Sequence, residues 1–230
     1  MFVRAHHQRI HEILLALDAQ FLRAHQCYFG GGTAIVLQHD EYRESVDIDF
    51  LICDIDCYRA MRIAMRDEVN LAKFFGLDRG VITEVPEIRA DQYGIRAKLP
   101  INAQSVKFEI VFEARITFDA PNVSDQVAGV TTLTRTDLVA SKLLANVDRW
   151  LDSSVMSRDI IDLAMIEASN EDWARAMGKA DQAYGPVVKD SLQQAKSQLL
   201  NDPLRLSRCM EALQINIPQA MLHNRLACLP

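Results

Sequence analysis

The first periodic signal along the chain is helical. Ile10, Ile13, Leu14, Leu17 and Phe21 recur at helical intervals, with His7, Arg9, Glu12 and Asp18 on the other side, which predicts an amphipathic helix. His7 and His11 stand one turn apart, but no third ligand is nearby in sequence, so they read as solvated side chains. Gln26-Cys27-Tyr28-Phe29 reads as a short strand, Gly30-Gly31-Gly32-Thr33 as a turn, and residues 34–38 as a helix. Val46-Asp47-Ile48-Asp49-Phe50-Leu51-Ile52 alternates apolar residues with carboxylates and predicts a strand. A crossover helix follows over 58–75, with Gly76 as its stop, and then strands over 80–83, 94–99 and 105–112, punctuated by Pro86, Gly94 and Pro100.

Beyond Pro121 the pattern changes. Prolines and glycines thin out from Thr136 onward, and segments 138–151, 159–168, 173–184, 187–200 and 204–213 all carry helical periodicity. The expectation is an α+β fold, a mixed sheet with flanking helices over residues 1–125, followed by a helical region over 126–230.

Composition narrows the class. The 230 residues carry Lys+Arg 25 against Asp+Glu 31, a formal net charge of −6, and 49% hydrophobic residues, which suits a globular chain with a real core. No stretch approaches the ~18 consecutive apolar residues of a membrane span, and the amino terminus lacks an apolar signal-peptide core, so a cytoplasmic protein is expected. The five cysteines, Cys27, Cys53, Cys57, Cys209 and Cys228, are odd in number and scattered, a poor framework for disulfides or zinc.

The candidate chemistry lies between residues 30 and 50. On a strand Asp47 and Asp49 share a face, about 7 Å apart, where two carboxylates repel unless a cation sits between them. A magnesium ion bound to nucleotide phosphates supplies that cation. The glycine turn suits the same ligand, because backbone N–H groups at a helix start point outward and Gly31 and Gly32 let a phosphate approach, with Thr33 adding a hydroxyl. Two-metal phosphoryl chemistry calls for a third carboxylate. Glu109 is the best candidate, since Val106, Phe108, Ile110 and Phe112 take the core side of their strand; Glu113 is second, and a simple surface pair of Glu109 with Lys107 is the alternative. Asp54-Ile55-Asp56 follows no phosphate turn and reads as a turn or helix cap.

Gly31-Gly32-Thr33-Ala34 followed by Arg43-x-Ser45-x-Asp47-x-Asp49-Phe50 resembles the nucleotidyltransferase superfamily, and most closely its AbiEii/AbiGii toxin branch. The run from Lys142 to Arg149 and then Arg158-Asp159-x-x-Asp162-Leu163 is similar to that branch's helical signature, so the resemblance spans roughly residues 28–166. It implies a polymerase-β-like core that moves a nucleoside monophosphate from a nucleoside triphosphate to an acceptor hydroxyl with release of pyrophosphate. In some toxin relatives that acceptor is the 3′ end of tRNA, and a cognate antitoxin is implied as partner. By matching motifs, Asp47 and Asp49 would hold two magnesium ions and Glu109 would complete the site. Gly31, Gly32 and Thr33 would cradle phosphates, Arg43 and Ser45 would steady the triphosphate, and Lys142 would approach it from the helical half. Asp40 and Glu41 depart from the pattern by adding negative charge before Arg43. Lys142 and Arg149, seven apart on one helix face, have pairing with Asp159 or Asp162 as their alternative role. The acidic net charge also leaves open a small-molecule acceptor of the aminoglycoside kind, or a nucleotide-binding module without turnover.

Overall fold

The computed structural model describes residues 2–101 and 104–230. The chain divides into two compact units, one made of Met1–Leu37 and Ser45–Thr134, the other of Gln38–Glu44 and Arg135–Pro230. The boundary expected at 125/126 therefore falls at 134/135. Residues 126–134 stay with the first unit because their backbone is fastened to its sheet, Leu133 N–H donating to Phe29 C=O at 3.0 Å.

The first unit opens with α1 (Ala5–Ala16), which buries Ile10, Ile13 and Leu14, and α2 (Ala19–Ala24), whose first turn is capped by Asp18 accepting from Phe21 N–H at 2.9 Å. Strand β1 (Tyr28–Gly30) runs directly into α3 (Gly31–Gln38), and β2 (Asp47–Ile52) returns antiparallel to β1. Helices α4 (Ile55–Ala64) and α5 (Glu68–Phe74) replace the single helix expected over 58–75. The break is chemical: the Asp67 carboxylate accepts from Asn70 N–H at 2.9 Å and starts a new helix. The strand expected over 80–83 does not form. A 3-10 turn (Leu77–Arg79) stands before it, flanked by Gly76 and Gly80 in the left-handed region.

Among the described residues, strands β3 (Arg89–Ala90), β4 (Gly94–Ile101) and β5 (Gln104–Phe112) complete a five-stranded sheet of order β1-β2-β5-β4-β3, in which β2 and β5 pair parallel and the other neighbours antiparallel. A short hairpin, β6 (Gln126–Val127) and β7 (Val130–Thr131), follows. The alternation read from the sequence is carried out in three dimensions. Ile48, Phe50 and Ile52 of β2 and Phe108 and Ile110 of β5 are fully buried, and the rings of Phe29, Phe50 and Phe108 succeed one another across the sheet at 5.5 and 5.6 Å, with Phe74 and Phe75 closing on Phe108. Burying each such side chain stabilises the fold by about 1.5–3 kcal/mol. That packed face fixes the register of β2 and so commits Asp47 and Asp49 to the other one.

The second unit is helical: α6 (Arg135–Arg149), a 3-10 turn (Ser153–Val155), α7 (Arg158–Met165), α8 (Asn170–Tyr184), α9 (Val187–Leu200), α10 (Pro203–Ala212) and α11 (Gln219–Ala227). α11 lay outside the helices expected from the pattern. Ser169 and Asp172 form a reciprocal capping box at the start of α8, and Asp202 with Pro203 starts α10. Residues 38–44 join this unit through Glu44 N–H donating to Leu213 C=O at 3.0 Å and Asn216 N–H to Tyr42 C=O at 2.9 Å. Among the described residues no helix is long and apolar enough to cross a membrane.

Candidate active site

In the first unit the sheet brings the expected acids to one face by register. β1 ends with Gly30 opposite Asp49, β5 sets Glu109 opposite Asp49 and Lys107 opposite Asp47, and β4 sets Arg96 opposite Glu109. Directly paired residues point to the same face. Asp47 and Asp49 are half-buried. Glu109 accepts from Lys107 Nζ at 2.6 Å and from Arg96 Nε at 3.1 Å, and Arg96 also reaches Asp91 at 2.9 Å. Burial would lower the Lys107 pKa, but the hydrogen bond to Glu109 and the charges of Glu109, Asp47 and Asp49 outweigh it and raise the value. The surface pair weighed as the alternative for Glu109 is therefore present, on the same face as the aspartates. Glu113, the second candidate, is buried and taken up by Arg115, whose Nε and Nη2 donate at 2.8 and 2.6 Å.

The glycine turn is built against the acids. Gly31 has φ +66°, and a Cβ placed there would meet Asp49 Oδ2 at 2.5 Å and Asp49 Cβ at 2.9 Å. Only a residue without a side chain allows the start of α3 to lie this close to the Asp49 carboxylate. Helix geometry leaves the first-turn N–H groups of α3, those of Gly31, Gly32 and Thr33 among them, without intrahelical acceptors. The Thr33 hydroxyl is already committed: it donates to Asp47 C=O at 2.5 Å. Its single proton being used there, the 2.8 Å contact with Ser45 must have Ser45 Oγ donating to Thr33 Oγ1. Thr33 and Ser45 thus tie the glycine turn to the head of β2.

The other two expected residues, Arg43 and Lys142, belong to the second unit, where they meet on one carboxylate. Arg43 donates from Nε to Asp162 Oδ1 at 2.7 Å, from Nη2 to Oδ2 at 2.9 Å, and from Nη1 to Glu44 C=O at 2.7 Å. Lys142 Nζ lies 2.6 Å from Asp162 Oδ2 and 3.0 Å from Asp159 Oδ1, and Tyr42 O–H donates to Asp162 at 2.5 Å. Arg149 closes the cluster with a two-point bond to Asp159 at 2.6 and 2.8 Å. Burial would raise the carboxyl pKa of Asp162, but Arg43 and Lys142 overcome it and hold the group below the usual range; Lys142 and Arg149 do the same for Asp159. Burial and the Asp162 charge push the Tyr42 phenol well up. The ion pairs weighed as the alternative role of Lys142 and Arg149 are therefore formed, and Arg43 joins them. Asp40 and Glu41 are also in this unit, both with positive φ, Asp40 exposed and Glu41 buried.

Asp54 caps α4, accepting from Cys57 N–H at 2.7 Å, as its position suggested. The five cysteines are free thiols. Among the described residues no group of three or more His, Cys, Asp or Glu side chains stands ready to hold a metal. The Asp47 and Asp49 pair nevertheless suits a hard divalent cation. Its donors are carboxylate oxygens on one strand face, and the missing side chain of Gly31 lets the start of α3 lie directly against Asp49. The pattern of residues did not reveal Arg96, because its place beside Glu109 depends on hairpin register, and His7, read from the sequence as a solvated side chain, is instead fully buried and accepts from Ser45 N–H at 3.1 Å.

A strand, a glycine turn and a short helix packed against an Asp-x-Asp strand, with a further carboxylate on the parallel neighbour, define a nucleotidyltransferase-type core. The profile of the nucleotidyl transferase AbiEii toxin family, from type IV toxin–antitoxin systems, matches residues 12–222, and the chain belongs to that family. It is accordingly a nucleotidyltransferase, and membership brings a nucleoside triphosphate substrate and an antitoxin partner. Among solved structures, a Helicobacter pylori protein assigned as a nucleotidyltransferase aligns over 94% of this chain and 90% of its own, with 16% identity and a TM-score of 0.49. JHP933 from Helicobacter pylori aligns over 98% and 90%, with 18% identity and a TM-score of 0.46. No curated protein matches the chain significantly.

Proposed function

We propose that this chain transfers a nucleoside monophosphate from a nucleoside triphosphate to a hydroxyl of RNA, the 3′ end of tRNA, in the cytoplasm, and that it does so with magnesium. The observation that carries the reading is Gly31 lying against Asp49 while Asp47, Asp49 and Glu109 share one face of the sheet. Asp47 and Asp49 would hold the magnesium ions, which when bound supply charge neutralisation at the triphosphate and at the leaving pyrophosphate. The first turn of α3 presents backbone N–H groups of Gly31 and Gly32 to the phosphates, and Thr33 and Ser45 keep that turn in place.

Glu109 is assigned to the acceptor side. A carboxylate there takes the proton of the attacking hydroxyl, and the hydrogen bonds from Lys107 and Arg96 orient it for that role. Arg43 and Lys142, which the resemblance assigns to the triphosphate, are engaged with Asp159 and Asp162. Any role at the triphosphate is rendered from within this cluster, and Lys142→Met tests it: unchanged kcat and triphosphate KM would leave Lys142 a purely internal ion-pair partner.

The deciding experiment incubates the protein with magnesium, each α-labelled nucleoside triphosphate in turn and total tRNA, beside Asp47→Asn/Asp49→Asn. Label on tRNA with the parent protein alone supports the reading. Pyrophosphate released with an aminoglycoside but not with RNA moves the acceptor, and nucleotide binding without transfer leaves a binding module.

A further inference from the structure

Two neighbouring histidines of α1 hold the backbone just ahead of the Asp47-x-Asp49 strand, and neither lies within the stretch matched by the family. Arg9 Nη2 lies 3.1 Å from His6 Nδ1, and a guanidinium only donates, so His6 Nδ1 is the acceptor and Nε2 carries the proton it gives to Val46 C=O at 2.9 Å. His7 has the opposite arrangement. Its Nε2 receives Ser45 N–H at 3.1 Å and therefore carries no proton. One histidine thus accepts from residue 45 and the other donates to residue 46.

We infer that His7 is a positioning residue for the transfer site, acting through Ser45 and Thr33 on Asp47. The links are continuous: His7 fixes Ser45 N–H, Ser45 Oγ donates to Thr33 Oγ1, and Thr33 Oγ1 donates to Asp47 C=O. His7 is fully buried and Thr33 nearly so, so water is a poor substitute for either partner. The chain joins the phosphate-binding turn to the metal-binding strand, two parts whose relative placement decides whether a triphosphate bridges them. Only its catalytic consequence rests on the function proposed above.

Amide hydrogen exchange at residues 45–49, read residue by residue in the intact protein, tests the linkage without any substrate. His7→Met keeps the bulk and removes the acceptor; His7→Gln restores an acceptor oxygen near the place of Nε2. Exchange at Ser45 is expected to rise about tenfold in His7→Met, the worth of one hydrogen bond, and to return toward the parent value in His7→Gln. Unchanged exchange in His7→Met, or equal acceleration in both variants, overturns the inference. If His7→Met does not fold, Ser45→Ala and Thr33→Val cut the later links, and unchanged exchange at residues 46–49 in both overturns it equally. In the transfer assay kcat follows the same order, His7→Met low and His7→Gln restored. A parent protein that transfers nothing defeats the proposed function and leaves the exchange result to decide the linkage.

Discussion

Replacing Gly31 with alanine separates two things glycine does there. The first is backbone freedom: φ +66° costs an L-residue about 1–2 kcal/mol. The second is clearance, because the new Cβ would stand 2.5 Å from Asp49 Oδ2 and 3.1 Å from Asp49 Cγ. Relieving those contacts requires the carboxylate or the start of α3 to move by roughly 1 Å, and a displacement of that size in a catalytic group costs on the order of a hundredfold in rate. Gly80 supplies the control. It has φ +72° and nothing within 4 Å of its virtual Cβ, so Gly80→Ala carries the backbone cost without touching an acid.

Both variants are expected to lower the urea midpoint by similar amounts, equivalent to about 1–2 kcal/mol. Pyrophosphate release at saturating triphosphate should fall about a hundredfold in Gly31→Ala alone. A Gly31→Ala protein that turns over at the rate of Gly80→Ala would refute the claim that the placement of Asp49 depends on the close approach glycine allows. A stability loss far above that of Gly80→Ala, with turnover per folded molecule unchanged, would place the clash in the fold and not in the site.

Asp49→Asn is expected to keep the circular dichroism of the parent and abolish pyrophosphate release; retained release would remove Asp49 from the machinery. Asp162→Ala leaves Arg43 and Lys142 buried without their shared carboxylate, and should cost about 3–5 kcal/mol in urea unfolding; a loss under about 1 kcal/mol would show that the cluster is readily rehydrated. The same cluster sets an acid limit. Asp159 and Asp162 are held below their ordinary pKa, so the stability they contribute is complete above about pH 4 and disappears as the pH falls through their lowered values. Unfolding midpoints of the parent and Asp162→Ala should therefore converge only in strong acid, and convergence at neutral pH would contradict the ion pairs. Chelation by EDTA should stop transfer and added magnesium restore it, as followed by label incorporation.

What the chain reveals by itself depends on how local each determinant is. The face shared by Asp47 and Asp49 follows from period two along a single strand, whereas the close approach at Gly31 does not show in the pattern, which gives a turn over 30–33 and a helix from 34 where the structure runs β1 into α3 at Gly31 with no intervening residue. Glu109 was legible as an outward-facing residue of its strand, yet its partners were only half so. Lys107 is two residues away, whereas Arg96 reaches Glu109 by the register of β4 on β5. The two-residue strands β3, β6 and β7 carry too few positions to show any period, and the split of α4 from α5 turned on a single carboxylate at Asp67.

The motif with two readings shows the limit most clearly. Lys142, Arg149, Asp159 and Asp162 fall at spacings that suit either a ligand site or an internal ion-pair cluster, and spacing alone has no means of choosing. Burial supplies the missing term. Asp162 has no exposed surface, and it is met by Arg43, 119 residues away in sequence, together with Lys142 and Tyr42. A carboxylate so deeply placed has to be matched by cations at all times, whether or not a nucleotide is bound, because leaving it unmatched costs several kcal/mol. Asp162 therefore makes Arg43 part of the second unit's core first, and any service Arg43 or Lys142 gives to a triphosphate has to be rendered from within that cluster.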